Sequence, residues 1–184
     1  FLTHQGATTV NAGVLSGTIV NNALLTIAAG ATVETGGSTV GSLAGAGTLN
    51  SNDGGIPVRV GGDNSSTTFS GTLGGTGPFE KVGAGTQTLS GALLLTGTVT
   101  VDGGTLRIGD GVTGPASVSP QAFIVNTALE FDSPAGIFMG AGTSGTGSLT
   151  VGGGGLIASG PFLTHQGATT VNAGGLSGTI VNNA

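Results

Sequence analysis

Short runs with aliphatic residues at i and i+2 recur along the chain: Leu25-Thr26-Ile27, Val58-Arg59-Val60, Leu93-Leu94-Leu95, Val99-Thr100-Val101, Leu106-Arg107-Ile108 and Leu149-Thr150-Val151. Residues two apart project from the same face of a strand, so each run offers an apolar face, and the residue between points away. The runs are bounded by Gly, Asn, Asp and Ser, which accept positive φ or bond their own backbone and so turn the chain. No window of eleven or more residues shows a 3.6-residue period free of glycine. The pattern predicts many strands of about three to five residues and no substantial helix.

The order of these runs is itself repetitive. Residues 1–23 read FLTHQGATTVNAGVLSGTIVNNA and residues 162–184 read FLTHQGATTVNAGGLSGTIVNNA, so 22 of 23 positions agree and only Val14 and Gly175 differ. The offset is 161 residues, which divides the chain into one unit, 1–161, and the opening of an identical one, 162–184, in a continuous tandem array. Within the unit, Gly-Thr-aliphatic begins at Gly17, Gly47, Gly71, Gly97, Gly104 and Gly178, with Gly-Ser-Leu at Gly147; the first gaps are 30, 24 and 26 residues. Leu43-Ala44-Gly45-Ala46-Gly47 returns thirty residues later as Leu73-Gly74-Gly75-Thr76-Gly77. A coil of such a chain cannot cover its own apolar side, so stacked neighbours must, and stacking neighbours is what sequence repeats encode. The expected fold is all-β, a parallel β-solenoid of about seven coils per unit, each of roughly 20–25 residues, rising ~30–40 Å at a strand spacing near 4.8 Å.

Composition narrows the partners. Gly supplies 40 of 184 residues, only 3 side chains are Lys or Arg against 8 Asp or Glu, and the net charge is −5. Three bases cannot neutralise the several phosphates that nucleic-acid binding requires, nor form a polybasic membrane-surface segment. No apolar run is long enough for a transmembrane helix, and the lack of Trp and Tyr argues against the aromatic girdles of a membrane barrel. Cys is absent, which removes disulfides, thiolate metal sites and cysteine nucleophiles together. A mean hydropathy of +0.38 separates the chain from disordered sequences, which combine low hydrophobicity with high net charge.

The stretch from Gly75 to Gly91, GTGPFEKVGAGTQTLSG, resembles the autotransporter-associated β-strand repeat, G-x-G-x-L-x-K-x-G-x-G-x-L-x-L-x-G with a T-G-x-T-x-V and G-T-L tail. The matching positions are Gly75, Gly77, Phe79, Lys81, Gly83, Gly85, Leu89 and Gly91, then Gly97, Gly104 and Leu106 in the tail. Gln87 stands where the pattern has an aliphatic residue, and the Asn-x-Tyr that often precedes the tail is missing at 92–95; both bear on coil register. The resemblance is good over residues 71–111 and loose over 39–70. It implies a right-handed parallel β-helix passenger domain, exported unfolded, displayed outside a bacterial cell and followed elsewhere by a translocator barrel. It carries over no catalytic residue.

Candidate chemistry is sparse. Glu130 and Asp132 flank Phe131, which on a strand puts two carboxylates on one side, roughly 6.5–7 Å apart, a spacing compatible with a glycoside hydrolase pair. A solvated strand face is the simpler explanation, because eight acids and three bases are scattered along the chain. His4 and His165 are one position in successive units, and one His per unit does not assemble a metal site. Gly109–Gly114 and Gly140–Gly145 match G-x-G-x-x-G, but Pro115 and Gly147-Ser148-Leu149 follow where a dinucleotide site needs a helix N-terminus. Asp63 and Asp110 lie in Gly-rich loops without the tandem nonapeptide of calcium-binding solenoids. Two T-x-T segments, 86–88 and 98–100, fall short of the one per coil that an ice-binding face requires. The expectation is a structural or interaction protein with no cofactor and no metal. It would be an extracellular rod acting in adhesion, self-association or as a stalk, with itself or cell-surface molecules as partners. The alternative is a carbohydrate-active β-helix using Glu130 and Asp132.

Overall fold

The computed structural model describes residues 1–115, 117–118, 120–158 and 163–181. The boundary drawn between Pro161 and Phe162 lies outside the described residues. Strands of two to nine residues fill the described chain, and no helix occurs among them. Each strand–strand pairing in the following columns is parallel. A chain whose strands are only a few residues long can satisfy its backbone in this way because each turn of the stack donates to, and accepts from, the turns on either side.

Three columns of strands form the walls. The first runs through Leu2–His4, the starts of Ile19–Ile27 and Thr39–Gly45, then Val58–Val60, Phe79–Lys81, Val99–Val101, Phe123–Val125 and Thr143–Ser144, and continues through bridges to Leu163 and Ile180. The second holds Thr8–Val10, Thr67–Phe69, Thr86–Leu89, Thr105–Ile108, Ala128–Phe131, Ser148–Val151 and Thr169–Val171, together with the far ends of the two long strands. The third holds Val14–Ser16, Thr32–Thr35, Thr48–Ser51 and Thr72–Gly75, a bridge from Leu73 to Leu93, and then Ser117–Val118, Ile137–Met139, Leu156–Ala158 and Leu176–Ser177. Ile19–Ile27 and Thr39–Gly45 pass from the first wall to the second without a break, and their pairing shifts register between Asn21 and Leu24.

The stack makes about eight turns, in keeping with about seven per 161-residue unit, and rises about 38 Å at the usual strand spacing. The turns vary in length, with only the shorter ones below the expected range and all of them below the longest Gly-Thr-aliphatic gap: Leu49 lies 16 residues after its partner Val33, Val99 lies 20 after Phe79, and Phe123 lies 24 after Val99. The Gly-Thr-aliphatic tripeptide misled because it does not mark one corner. Gly17 and Gly97 open first-wall strands, Gly104 a second-wall strand, and Gly47 and Gly71 third-wall strands. It is a strand-start signal used on all three walls, so its spacing is irregular. For the same reason Leu73 stacks on Leu49, not on the similar segment at Leu43, which faces the second wall.

The alternation reads directly onto burial. Val58, Val60, Val99, Val101, Leu106, Ile108, Leu149 and Val151 are buried, whereas the residue between each pair is not. Leu93 and Leu95 are buried and Leu94 is 65 % exposed, although only Leu93 forms a bridge. The core is one cluster running the length of the stack, and Phe123 meets Phe131 edge to face with ring centroids 5.9 Å apart.

Candidate functional site

The segment from Gly75 to Leu106 winds through one turn and part of the next. Phe79 and Lys81 point inward from the first wall, Leu89 from the second and Leu106 from the second wall one turn on. Lys81 occupies the inward position that Val60 and Val101 hold on the neighbouring turns, and it is fully buried. Its ammonium leaves the core at a corner and donates to the carbonyls of Val82 (2.6 Å), Gly83 (3.0 Å) and Gly103 (3.1 Å). Burial lowers the Lys81 pKa from 10.5, and the nearby Asp63 carboxylate acts to raise it. Burial acts to raise the Asp63 carboxyl, but hydrogen bonds from Ser42 and Ser65 outweigh it and hold the group below its ordinary value.

The motif glycines mark where one turn crosses another at van der Waals limit. An added Cβ at Gly91 would lie 2.0 Å from the Gly71 carbonyl oxygen, and one at Gly71 would lie 1.9 Å from that of Gly47. Three turns thus meet glycine on glycine at the corner before the third wall. Gly77, Gly85, Gly97 and Gly104 abut backbone of the preceding turn in the same way, and Gly75 and Gly83 add a positive φ.

Gln87, the departure from the aliphatic pattern, is buried. Its amide donates to the carbonyls of Leu43 (3.1 Å) and Thr88 (3.2 Å), and its oxygen accepts from Thr67 Oγ1 (3.0 Å). On the second wall the strand Thr67–Phe69 pairs with Thr39–Gly45 only through Gly45 and Phe69, and Gln87 reaches across to donate to the Leu43 carbonyl.

Outward positions form ladders of their own. Arg59 donates to Glu80 at 2.7 Å, and Asn50 donates to Glu34 at 2.8 Å on adjacent turns. Glu130 projects outward and Asp132 follows just past the strand end; Arg107, one turn below, pairs with both, with Nε 3.4 Å from Glu130 and NH2 hydrogen-bonded to Asp132. The two carboxylates therefore share a structural cation. No cluster of three metal-ligating side chains occurs among the described residues. An open depression of about 440 Å³ is lined by Thr18, Glu34, Thr35, Gly36, Asn52 and Asp53.

The two histidines sit alike but not identically. His4 Nε2 is 2.7 Å from Thr8 Oγ1, and His165 Nε2 is 2.8 Å from Thr169 Oγ1. His165 is fully buried, its Nδ1 lies 3.2 Å from Thr143 Oγ1, and burial lowers its pKa. Sequence reasoning overlooked Asn21, which is buried, accepts from Ala23 N–H and donates to Thr8 Oγ1 at the register shift. An Asn pair interrupting the aliphatic run at 19–27 was the available signal.

These features define a class: a parallel β-solenoid whose polar side chains close corners and bridge turns. A family model described as the passenger-associated-transport-repeat matches residues 2–16 and 79–108. Those stretches are the strands Leu2–His4, Thr8–Val10 and Val14–Ser16, and the run from Phe79 to Ile108 built around Lys81 and the corner glycines. The chain thus carries the passenger-associated repeat in β-solenoid form, consistent with an autotransporter passenger β-helix. No curated protein and no solved structure matches the chain.

Proposed function

We propose that this chain is a segment of an extracellular β-helical rod on a bacterial surface, displayed as an autotransporter passenger and acting in adhesion, self-association or as a filament or stalk. The observation that carries the reading is the coincidence of the passenger-associated repeat, at 79–108, with the corners and core of a continuous stack. Export as an unfolded thread suits a fold that assembles turn upon turn from local and nearest-neighbour contacts. The absence of Cys leaves no covalent crosslink to obstruct that passage. The 161-residue repeat extends the rod in the same register, so units 1–161 and 162–184 belong to one array.

The test is protease shaving of intact cells that produce the parent protein, with mass-spectrometric identification of released peptides. Peptides from residues 1–184 are expected from whole cells. Release only after lysis would refute surface display.

A further inference from the structure

Asp-Gly occurs three times in this chain, at 53–54, 102–103 and 110–111. The dipeptide is chemically labile because glycine has no Cβ to screen its nitrogen, which can attack the aspartate Cγ and close a cyclic imide. The attack asks two things of a folded chain. Cγ must lie against the following nitrogen, and that nitrogen must not be committed to an acceptor. The three sites answer differently.

At 102–103 neither condition holds. Asp102 accepts from Asn126 Nδ2 at 2.6 Å, one turn on, and the Gly103 N–H donates to Lys81 O at 3.3 Å. At 110–111 the carboxylate folds over its own loop, accepting from the N–H groups of Val112 at 2.9 Å and Thr113 at 2.5 Å. The Gly111 N–H, however, donates to Asp132 O at 2.8 Å on the adjacent turn. The bonds from Thr113 and Val112 also hold the Asp110 carboxyl below its ordinary pKa, and the ionised form lacks the hydroxyl that must leave.

At 53–54 both conditions hold. Asp53 Oδ1 accepts from the Gly55 N–H at 2.9 Å, a turn that lays the carboxyl over the peptide between them. The Gly54 N–H donates to no acceptor among the described residues. Asp53 itself is fixed by the stack: a Cβ added at Gly36 would lie 2.5 Å from Asp53 Cβ, and one at Gly77 would lie 2.4 Å from Asp53 O. Gly54 is exposed, and a Cβ there would meet nothing within 4 Å. The electrophile is held and the nucleophile is open.

We infer that Asp53–Gly54 is a site of spontaneous isoaspartate formation in the folded protein, and that the stack protects the same dipeptide at 102–103 and 110–111. The Gly54 nitrogen bonds to Asp53 Cγ and loses its proton to solvent, and the carboxyl hydroxyl leaves as water. Water then adds to the imide. Addition at Cγ restores aspartate; addition at the Asp53 main-chain carbonyl breaks its bond to the Gly54 nitrogen and leaves the chain running through Cγ. The water lost is regained, so the product has the mass of the original. The inference depends neither on where the rod is displayed nor on what it binds.

The test is to age the full chain, folded, at neutral pH and body temperature. Electron-transfer fragmentation locates isoaspartate, and methyl transfer by protein isoaspartate methyltransferase measures it. Isoaspartate is expected to accumulate at residue 53 several-fold faster than at 102 or 110. In denaturant the three rates are expected to converge, because the protection belongs to the fold. Gly54→Ala screens the nitrogen with a Cβ that meets open space; it is expected to keep the wild-type circular dichroism spectrum and to lower isoaspartate at 53 several-fold. Absence of isoaspartate at 53 in the folded chain, or equal accumulation at 102 and 110, overturns the inference. So does a preference for 53 that persists unchanged in denaturant, or a folded Gly54→Ala variant that isomerises at the wild-type rate.

Discussion

The Lys81 ammonium donates a 3.1 Å hydrogen bond to the carbonyl of Gly103, one turn further along the stack, from a side chain whose stem lies wholly in the core. The same group caps Val82 and Gly83 at its own corner, so one cation closes two turns. Lys81→Met keeps the packing and removes the donors. Hydrogen bonds to charged groups are worth about 1.5–3 kcal/mol, and the desolvation cost relieved by removing the charge offsets part of that. The expected net loss is about 1–2 kcal/mol, with amide protection falling first around Gly83 and Gly103. Unchanged hydrogen exchange at both corners would refute the capping role.

Gln87 donates to the Leu43 carbonyl and accepts from Thr67. Gln87→Leu restores the aliphatic residue of the repeat pattern and would stabilise an ordinary core position. Here it leaves the buried Leu43 carbonyl and the half-buried Thr67 hydroxyl without this partner, at about 1–3 kcal/mol. Chemical denaturation is expected to show a lower midpoint for Gln87→Leu, and a higher one would count against the account given for this residue.

Much of the wall structure and the stacking of turns are legible in the sequence, and which residue stacks on which is not. The i, i+2 aliphatics of Val58-Arg59-Val60 and Leu106-Arg107-Ile108 place both inner and outer faces correctly, because side-chain direction in a strand depends only on neighbours. The same rule puts Lys81 inward after Phe79. What accepts its charge comes from a corner and another turn, which local pattern does not encode. The turn-to-turn register was hidden because glycines serve all three corners; Gly91 and Gly71 are recognisable as a stacked pair only once Leu89 and Phe69 are known to be partners. Glu130 and Asp132 read as a free acid pair because Arg107 lies more than twenty positions earlier, on the turn below.

Gly91→Ala tests the glycine-on-glycine corner. Its Cβ would lie 2.0 Å from the Gly71 carbonyl oxygen, a backbone atom held in the ladder, so relief requires two turns to separate. Overpacking of this kind costs roughly 3 kcal/mol. Because turns couple only to their neighbours, the damage is expected to centre on Leu73 and Leu93, with protection near Val151 retained. Wild-type stability of Gly91→Ala would show that the turns are not in close contact there.

His165 is expected to make the stack acid-sensitive where residues 163–181 meet the turn below. Its ring is buried between Thr143 and Thr169, and burial alone, with no charged partner, lowers its pKa from 6.5. The unfolded state therefore binds the proton at higher pH than the folded state. Where the unfolded state holds more protons, stability rises with pH. Stability at this turn is thus full above about 6.5, falls as pH drops below it, and reaches its lower level once the pH is under the depressed folded pKa. Carboxylates titrate lower, near 4, so the interval between about pH 6.5 and 4.5 separates imidazole from carboxylate effects. Hydrogen exchange of Thr164 and Val171, whose turn pairs with 143–151, is expected to accelerate through that interval, while Val60 and Val101 hold steady. His165→Asn, which cannot take up the proton, is expected to flatten the response. Acceleration of equal size in that variant would assign the acid sensitivity to another group.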